Sequence, residues 1–295
     1  GIDSISVCVR AAIFLAGLVL FGQGSKSLGT IVAISSYASY FWQPIMNLGN
    51  IFNNFINNIA YLERIFETMD EPVTVKDAEN AVKMPEIRGE VTFDHVNFSY
   101  DESKQILKDV SFTVKPGESV ALVGPTGAGK STIVNLISRF YNVNGGRVLI
   151  DGQDISQVTI HSLREQMGIM MQDSFIFSGD IEDNIRYGKL DATREEIVKA
   201  SRTVCADEFI SKMPDRYQTE VRERGSMLSQ GQKQLISFAR TLLSDPAILI
   251  LDEATSSIDV QTEKALQTGL NAMLKGRTSF IIAHRLSTIR NCDKI

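Results

Sequence analysis

The chain has few cysteines and no excess of positive charge. Its three cysteines, Cys8, Cys205 and Cys292, lie far apart and match no metal-binding spacing. We therefore expect reduced thiols rather than a disulfide framework or a zinc site. The formal net charge is −5 and the basic residues are spread along the chain, which gives no electrostatic basis for nucleic-acid binding. The 295 residues have an ordinary globular composition and could form two domains.

Charge is nearly missing from residues 1–62, where the only acidic or basic residues are Asp3, Arg10 and Lys26. Two apolar stretches, 5–21 and 30–62, flank the turn "GQGSKSLG" and predict a transmembrane hairpin kinked at Pro44. A signal peptide would account for the first stretch alone, and buried helices of a soluble domain would account for both. Because the chain lacks a first Met and stops at "NCDKI", we expect it to be a piece of a longer protein.

The second apolar stretch carries two stripes at helical spacing. One is apolar and the other consists of asparagines, namely Asn47, Asn50, Asn54 and Asn57. A solvated helix face and the wall of a water-filled cargo cavity both fit the asparagines.

The composition changes at Glu63. Residues 63–88 are charged, contain two prolines and predict a linker. Beyond it, "EVTFDHVNFSY" places apolar residues at strand spacing, and short apolar strands then alternate with helical segments. This pattern predicts that 89–295 form an α/β domain with a largely parallel sheet.

The strongest motif is "SVALVGPTGAGKSTIVNL", in which an apolar strand (119–123) runs into a P-loop and an apolar helix. Its glycines let backbone amides converge on phosphate oxygens, and the helix N-terminus adds its positive dipole. We expect Lys130 to neutralise the β- and γ-phosphates of ATP, and the Ser131 hydroxyl to bind Mg²⁺. The residues expected to surround the phosphates are Gly124, Thr126, Gly127, Ala128, Gly129, Lys130, Ser131 and Thr132.

Four more polar side chains follow three apolar strands, where open α/β sheets place their ligands. Asp252 and Glu253 follow the apolar strand within "AILILDEATSSID" (247–259). We expect Asp252 to bind Mg²⁺ through water, and Glu253 to orient or deprotonate the attacking water. His284 ends "TSFIIAH" and is placed to reach the γ-phosphate, although alone it would be taken as structural. Gln172 ends "MGIMMQ" and is expected to contact Mg²⁺ or the attacking water.

The P-loop, "LSQGQ" (228–232), "LILDEATSSID" and "IIAHRLS" stand in this order and together resemble the ATP-binding cassette (ABC) family. Apolar helices fused ahead of the cassette resemble a type IV ABC exporter half-transporter. The resemblance implies an α/β P-loop NTPase fold with a RecA-like core, an antiparallel β subdomain and a helical subdomain, preceded by transmembrane α-helices. It covers essentially the whole chain.

The resemblance also implies a dimer in which each ATP lies between one subunit's P-loop and the other subunit's "LSQGQ". Ser229, Gly231 and Gln232 would then face the partner's nucleotide, and Asp259 would approach the partner's P-loop. Tyr100 aligns with the aromatic residue that stacks on adenine, whereas a buried strand-end tyrosine is the alternative. Glu253, His284, Lys130 and Gln172 would be the catalytic residues.

Two segments, "QDSFIFSGDIEDNI" (172–185) and "TEVRERG" (219–225), resemble those that contact the intracellular loops of the membrane domain. Two positions depart from the family pattern: Gln230 and Arg222 stand where glycine is common. The resemblance implies that 1–62 are the last two transmembrane helices of a membrane domain, and that the first four membrane helices and the end of the cassette lie outside this sequence.

The function implied is ATP hydrolysis at a dimer interface, coupled to export across the cell membrane, with a multi-pass membrane part and a cytoplasmic cassette. The expected partners are a second half-transporter, the lipid membrane and an unidentified cargo. A regulatory or channel-like ABC protein, or a DNA-maintenance ATPase with the same kind of head, are the alternatives. The intact Glu253 and His284, and the lack of a long insertion between P-loop and "LSQGQ", argue against them.

Overall fold

The computed structural model describes residues 2–21, 25–101, 104–171, 174–221, 225–252, 260–283 and 289–295. The chain divides into two compact units, 1–73 and 74–295.

The N-terminal unit is a helical hairpin of α1 (Ile2–Phe21) and α2 (Ser25–Met69), with Pro44 inside α2. The two helices approach closely at Gly17, where a Cβ atom would lie 2.6 Å from Ile31 Cγ1. The predicted hairpin is therefore present, and both helices are longer than predicted. Most of the predicted apolar stripe on α2 is exposed, namely Leu48, Phe52, Phe55, Ile59 and Leu62.

The asparagine stripe of α2 is exposed as well, so both interpretations of it stay predictions. Within the described residues, no helix combines the length and apolar content of a membrane span. The transmembrane part of the hairpin prediction is thus not confirmed by these helices.

The predicted linker over 63–88 is wrong at both ends. Helix α2 continues to Met69 because its apolar positions recur beyond residue 62. Further on, Met84 and Ile87 are buried in the second unit, and their amides donate to Ser162 Oγ and Gln166 Oε1 at 2.8 Å each. Buried apolar side chains with satisfied amides make the end of this segment part of the α/β unit.

An antiparallel sheet opens the second unit. Its strands are β1 (Val91–Ser99), β2 (Gln105–Val114), β4 (Gly145–Ile150) and β5 (Gln153–Asp154), in the order β2-β1-β4-β5. The register of β1 shifts between Phe93 and Val96, around His95 with φ of 51°. This bulge returns Val96 to the buried face that Phe93 occupies, which explains the change of spacing in the sequence.

A second, parallel sheet carries the ends of the predicted motif strands. Its members are β3 (Ser119–Leu122), β6 (Met167–Met170), β9 (Ile248–Asp252) and β10 (Thr278–Ile282), in the order β3-β10-β9-β6. Strand β10 is buried along its whole length, as expected for a strand covered on both faces.

Helices and a short two-stranded ribbon complete the unit. The helices are α3 (Lys130–Ile137), α4 (Ile160–Arg164), α5 (Ile181–Arg186), α6 (Arg194–Thr203), α7 (Asp207–Ile210), α8 (Gln230–Leu243) and α9 (Val260–Leu274). The ribbon pairs β7 (Gly179–Asp180) with β8 (Glu220–Val221). Helix α8 packs against α5, α6 and α9. The parallel core, antiparallel sheet and helical layer confirm the predicted fold class.

Candidate nucleotide site

The loop between β3 and α3 depends on glycine conformations. Gly124, Gly127 and Gly129 have φ of 144°, 84° and 92°, values that residues with a Cβ atom rarely adopt. A Cβ atom on Gly129 would also lie 3.0 Å from Leu107 Cδ2. The loop can therefore turn tightly and present its backbone only with glycine at these positions.

Helix α3 begins without a side-chain cap. Its N-cap residue, Gly129, is left-handed and makes no side-chain hydrogen bond to the first turn. Among the described residues, the amides of Lys130, Ser131 and Thr132 have no hydrogen-bond acceptor. Unpaired amides at a helix start form an anion site, because their donors and the helix dipole both favour negative charge.

Lys130 adds a full positive charge to this loop. Its Nζ donates to the carbonyl oxygens of Gly124 and Pro125 at 2.8 and 3.0 Å. The ammonium group thus folds back over the loop, as expected of the lysine predicted to neutralise phosphate groups.

Tyr100, just after β1, lies beside the same helix. Its hydroxyl lies 3.2 Å from Thr132 Oγ1, and its ring makes edge contacts with Phe98 and Tyr141 at centroid distances of 4.8 and 4.9 Å. The residue is 48% exposed, so it is not the buried tyrosine of the alternative interpretation. An exposed aromatic ring held next to a phosphate loop is suited to stacking on a base.

Two of the predicted metal ligands lie in the described part of the chain. Ser131 is exposed in the first turn of α3, and Asp252 ends β9 at the carboxyl edge of the parallel sheet. A hydroxyl and a carboxylate are hard oxygen donors, and Mg²⁺ completes such a pair with phosphate oxygens and water. The donor set fits the predicted Mg²⁺ ion.

The "LSQGQ" segment forms the start of α8. Ser229 Oγ accepts from the Gln232 amide at 3.3 Å, and Gln232 Oε1 accepts from the Ser229 amide at 2.9 Å. This reciprocal capping box uses two of the amides at the helix start. Among the described residues, the amides of Gln230 and Gly231 have no acceptor.

Gln232 was expected to face the partner's nucleotide, but its side chain forms part of the capping box. Its side chain turns back to the backbone of Ser229, so in this structure it fixes the helix start instead of extending towards a ligand. Gln230 is exposed at the first helical position, where a side chain larger than glycine is accommodated.

The ribbon of β7 and β8 joins the two segments that resemble contacts with a membrane domain. Gly179 pairs with Val221 and Asp180 with Glu220, and the Ile181 amide donates to the Thr219 carbonyl at 3.2 Å. Three aromatic side chains of this region are exposed next to one another, namely Phe175, Phe177 and Tyr187.

Several predicted site residues lie outside the described part of the chain: Gln172, Glu253, Asp259, His284 and Arg222. Their roles stay predictions. The strands that lead to three of them are in place, because β6, β9 and β10 end just before Gln172, Glu253 and His284.

Two residues that make contacts near the site were not predicted to do so. Tyr141 supports the ring of Tyr100, and Arg240 on α8 holds the segment that carries the exposed aromatics. Arg240 left a signal in the sequence, because it is a lone cation beside the apolar face of "LISFARTLL". Tyr141 left none, because its contact with Tyr100 depends on long-range packing.

A loop that requires glycine conformations, an exposed tyrosine beside it and a carboxylate at the edge of the parallel sheet are the features of a P-loop nucleotide-binding domain. A sequence model of the ABC transporter family matches residues 107–256, about half of the chain. The chain therefore belongs to the ABC transporter family, whose cassettes bind ATP and hydrolyse it in transport.

The relatives include ABC transporter proteins and a solved exporter structure. An uncharacterized ABC transporter ATP-binding protein of Bacillus subtilis is 52% identical over 95% of this chain and 46% of its own length. An ATP-dependent lipid A-core flippase of Syntrophus aciditrophicus is 41% identical over 97% of this chain and 47% of its own. A bacterial Atm1-family ABC exporter solved with ATP bound is 40% identical, with a TM-score of 0.72 over 99% of this chain and 51% of the exporter chain.

The chain thus spans about half the length of the curated relatives that it matches. The predicted identity as the cassette of an exporter of the ABC family is confirmed by these relatives.

Proposed function

We propose that this chain binds ATP and Mg²⁺ at a site shared between two subunits, and that hydrolysis there drives export of a cargo across a membrane. The observation that carries the proposal is the presence of two different helix starts in one cassette. The P-loop leads into the start of α3. At the start of α8, Ser229 and Gln230 are exposed, and the amides of Gln230 and Gly231 have no acceptor among the described residues.

In the proposed dimer, the P-loop of one subunit holds the phosphates and the α8 start of the partner closes over the γ-phosphate. Lys130 and the amides of α3 neutralise charge on one side, and the amides of Gln230 and Gly231 do so on the other. The Ser229 hydroxyl, held by the capping box, points its oxygen along the helix start and can donate its proton to phosphate.

Ser131 and Asp252 would hold the Mg²⁺ ion, together with Gln172. Bound there, the ion would supply positive charge that offsets the negative charge developing during hydrolysis. Glu253 orients or deprotonates the attacking water, His284 contacts the γ-phosphate, and Asp259 approaches the P-loop of the partner.

The exposed aromatic side chains Phe175, Phe177 and Tyr187 supply the contact with the membrane domain. Phe175 and Phe177 lie in the first predicted coupling segment, 172–185, and Tyr187 follows it. The β7–β8 ribbon pairs 179–180 with 220–221, so the described parts of the two predicted coupling segments are neighbours. An exposed apolar cluster on a folded domain is typical of a protein contact.

The exporter relatives support a membrane location, with the hairpin of α1 and α2 as part of a multi-pass membrane domain and the cassette in the cytoplasm. The partner is a second half-transporter, identical or different, and the cargo is recognised by the membrane part.

The test measures ATPase activity per molecule over a range of protein concentrations, on the full-length transporter in lipid. A rate that rises with concentration, or one already constant in a stable dimer and lost in Ser229→Arg, supports the shared site. Thr203→Arg, on the exposed face of α6, is the matched control and should keep the wild-type rate. A monomer with a constant rate that is indifferent to Ser229→Arg would refute the proposal.

A further inference from the structure

Arg240 is a partly buried cation near the end of α8, a helix that otherwise buries apolar side chains. Burial lowers the pKa of its guanidinium group. A cation withdrawn from water requires compensating partners. The partners of Arg240 lie in the segment of the exposed aromatics.

Three hydrogen bonds join Arg240 to this segment. Its Nε donates to the Asn184 carbonyl at 2.7 Å, its Nη1 to the Phe175 carbonyl at 3.0 Å and its Nη2 to Asn184 Oδ1 at 3.0 Å. The guanidinium group therefore holds two separate points of the segment, and its planar fork suits this geometry.

Asn184 extends the contact to the neighbouring backbone. The side chain of this buried residue accepts from the Phe177 amide at 2.9 Å and donates to the Phe177 carbonyl at 3.0 Å. Arg240 fixes the same Oδ1 atom, so the backbone of Phe177 is held through Asn184.

The guanidinium group also lies under the aromatic surface. Its Cζ atom is 5.3 Å from the centroid of the Phe177 ring and 6.0 Å from that of Tyr187. Cation–π contacts at this distance orient rings while leaving their outer faces accessible. Gly188 packs against the backbone carbonyl of Arg240, which leaves no room for a side chain there.

The other end of the same helix is the capped start at Ser229. The rise of an α-helix places Arg240 about 16 Å along the axis from Ser229. A regular helix transmits a shift of its start to its end as a rigid element.

We propose that Arg240 is a positioning residue that couples the nucleotide-facing start of α8 to the surface of Phe175, Phe177 and Tyr187. This inference rests on the proposed function, because it takes the start of α8 as the part that responds to the partner's ATP. Closure of the dimer moves α8, and Arg240 carries the movement to the aromatic surface through its three hydrogen bonds.

The test is amide hydrogen exchange of the full-length transporter in lipid nanodiscs, with and without the ATP analogue AMP-PNP and Mg²⁺. In the wild type, we expect the analogue to slow exchange both at 229–236 and at 175–187, the latter by about fivefold, as is typical of coupled sites. In Arg240→Leu, we expect 229–236 to be slowed as before and 175–187 to change by less than about twofold. Arg240→Lys keeps the charge but not the fork and should give an intermediate value.

Arg202→Leu is the matched control, since Arg202 is an exposed cation on α6 with an ion pair to Asp207, and it should respond like the wild type. Equal slowing of 175–187 in Arg240→Leu and in the wild type would overturn the coupling role. Failure of the analogue to slow 229–236 in the wild type would instead overturn the shared site itself. If Arg240→Leu does not fold, Arg240→Lys decides, and a wild-type response in that variant overturns the proposal.

Discussion

The start of α3 and the start of α8 are both exposed helix N-termini, but they are built differently. Gly129 begins α3 in a left-handed conformation without a side-chain cap, whereas Ser229 and Gln232 begin α8 with a reciprocal capping box. The first arrangement leaves a run of amides for a ligand, and the second leaves only those of Gln230 and Gly231.

This difference indicates which half of the proposed site determines the affinity for ATP. The α3 start combines unpaired amides with Lys130 and Tyr100, so it can hold a nucleotide alone. The α8 start keeps its own stability through the capping box and contributes fewer donors. We therefore expect changes in the α3 half to reduce binding and changes in the α8 half to reduce turnover.

The largest effect is expected from Lys130→Ala. Loss of the ammonium group removes the full charge that faces the phosphates, so ATP binding weakens and the hydrolysis rate falls by at least about 100-fold. Titration calorimetry and ATPase assays measure the two quantities, with Lys108→Ala on the exposed face of β2 as the control. Wild-type ATP affinity in Lys130→Ala would show that the backbone alone holds the phosphates.

Ser229→Ala tests the α8 half of the proposed ATP site. We expect turnover to decrease by about tenfold, the loss typical of a hydrogen bond to a charged group, while ATP affinity of the separate subunit is unchanged. Thr193→Ala is a matched control, because Thr193 and Glu196 form the same capping box at the start of α6. Both variants should lose about 1 kcal/mol of unfolding free energy, and only Ser229→Ala should lose turnover. Equal ATPase rates in the two variants would mean that Ser229 acts as a cap alone.

Tyr100→Leu tests the proposed stacking on the base. Loss of the ring should weaken ATP binding by about 1–3 kcal/mol if it stacks on the base. Tyr100→Phe keeps the ring, removes only the hydroxyl contacts with Thr132 and Asn135, and should bind ATP nearly as the wild type does. Equal affinity of the Leu and Phe variants would contradict the stacking role.

Gly129→Ala tests the stability of the P-loop conformation. The left-handed conformation should cost about 1–2 kcal/mol of unfolding free energy, and contact with Leu107 should add to it. Gly117→Ala is the control for conformation alone, because its φ is +80° and no heavy atom lies within 4 Å of its Cβ position. If Gly129→Ala and Gly117→Ala lose equal unfolding free energy in urea, Leu107 moves away from the added methyl group at no cost.

Sequence patterns predicted the local features of this cassette well. The strand spacing of "EVTFDHVNFSY" predicted β1, and the apolar runs before Asp252 and His284 predicted two buried parallel strands. These features depend on residues close together in the chain, so periodicity and turn chemistry are sufficient to predict them.

Features that depend on distant partners were not predicted. Met84 and Ile87 looked like part of a linker because their partners, Ser162 and Gln166, come almost eighty residues later. The hydrogen bonds from Arg240 to Phe175 and Asn184 also join residues that are distant in the chain. Composition cannot reveal such contacts, since it reports only which residues are polar or apolar.

The central claim is that each ATP site is shared between two subunits. It is tested most directly by mixing the purified Lys130→Ala and Ser229→Arg variants, each inactive alone, and measuring ATPase activity after subunit exchange. A mixed dimer contains one site with both an intact P-loop and an intact Ser229, so we predict recovery of up to about a quarter of the wild-type rate in an equimolar mixture. No recovery in mixtures where exchange is demonstrated would contradict the shared site.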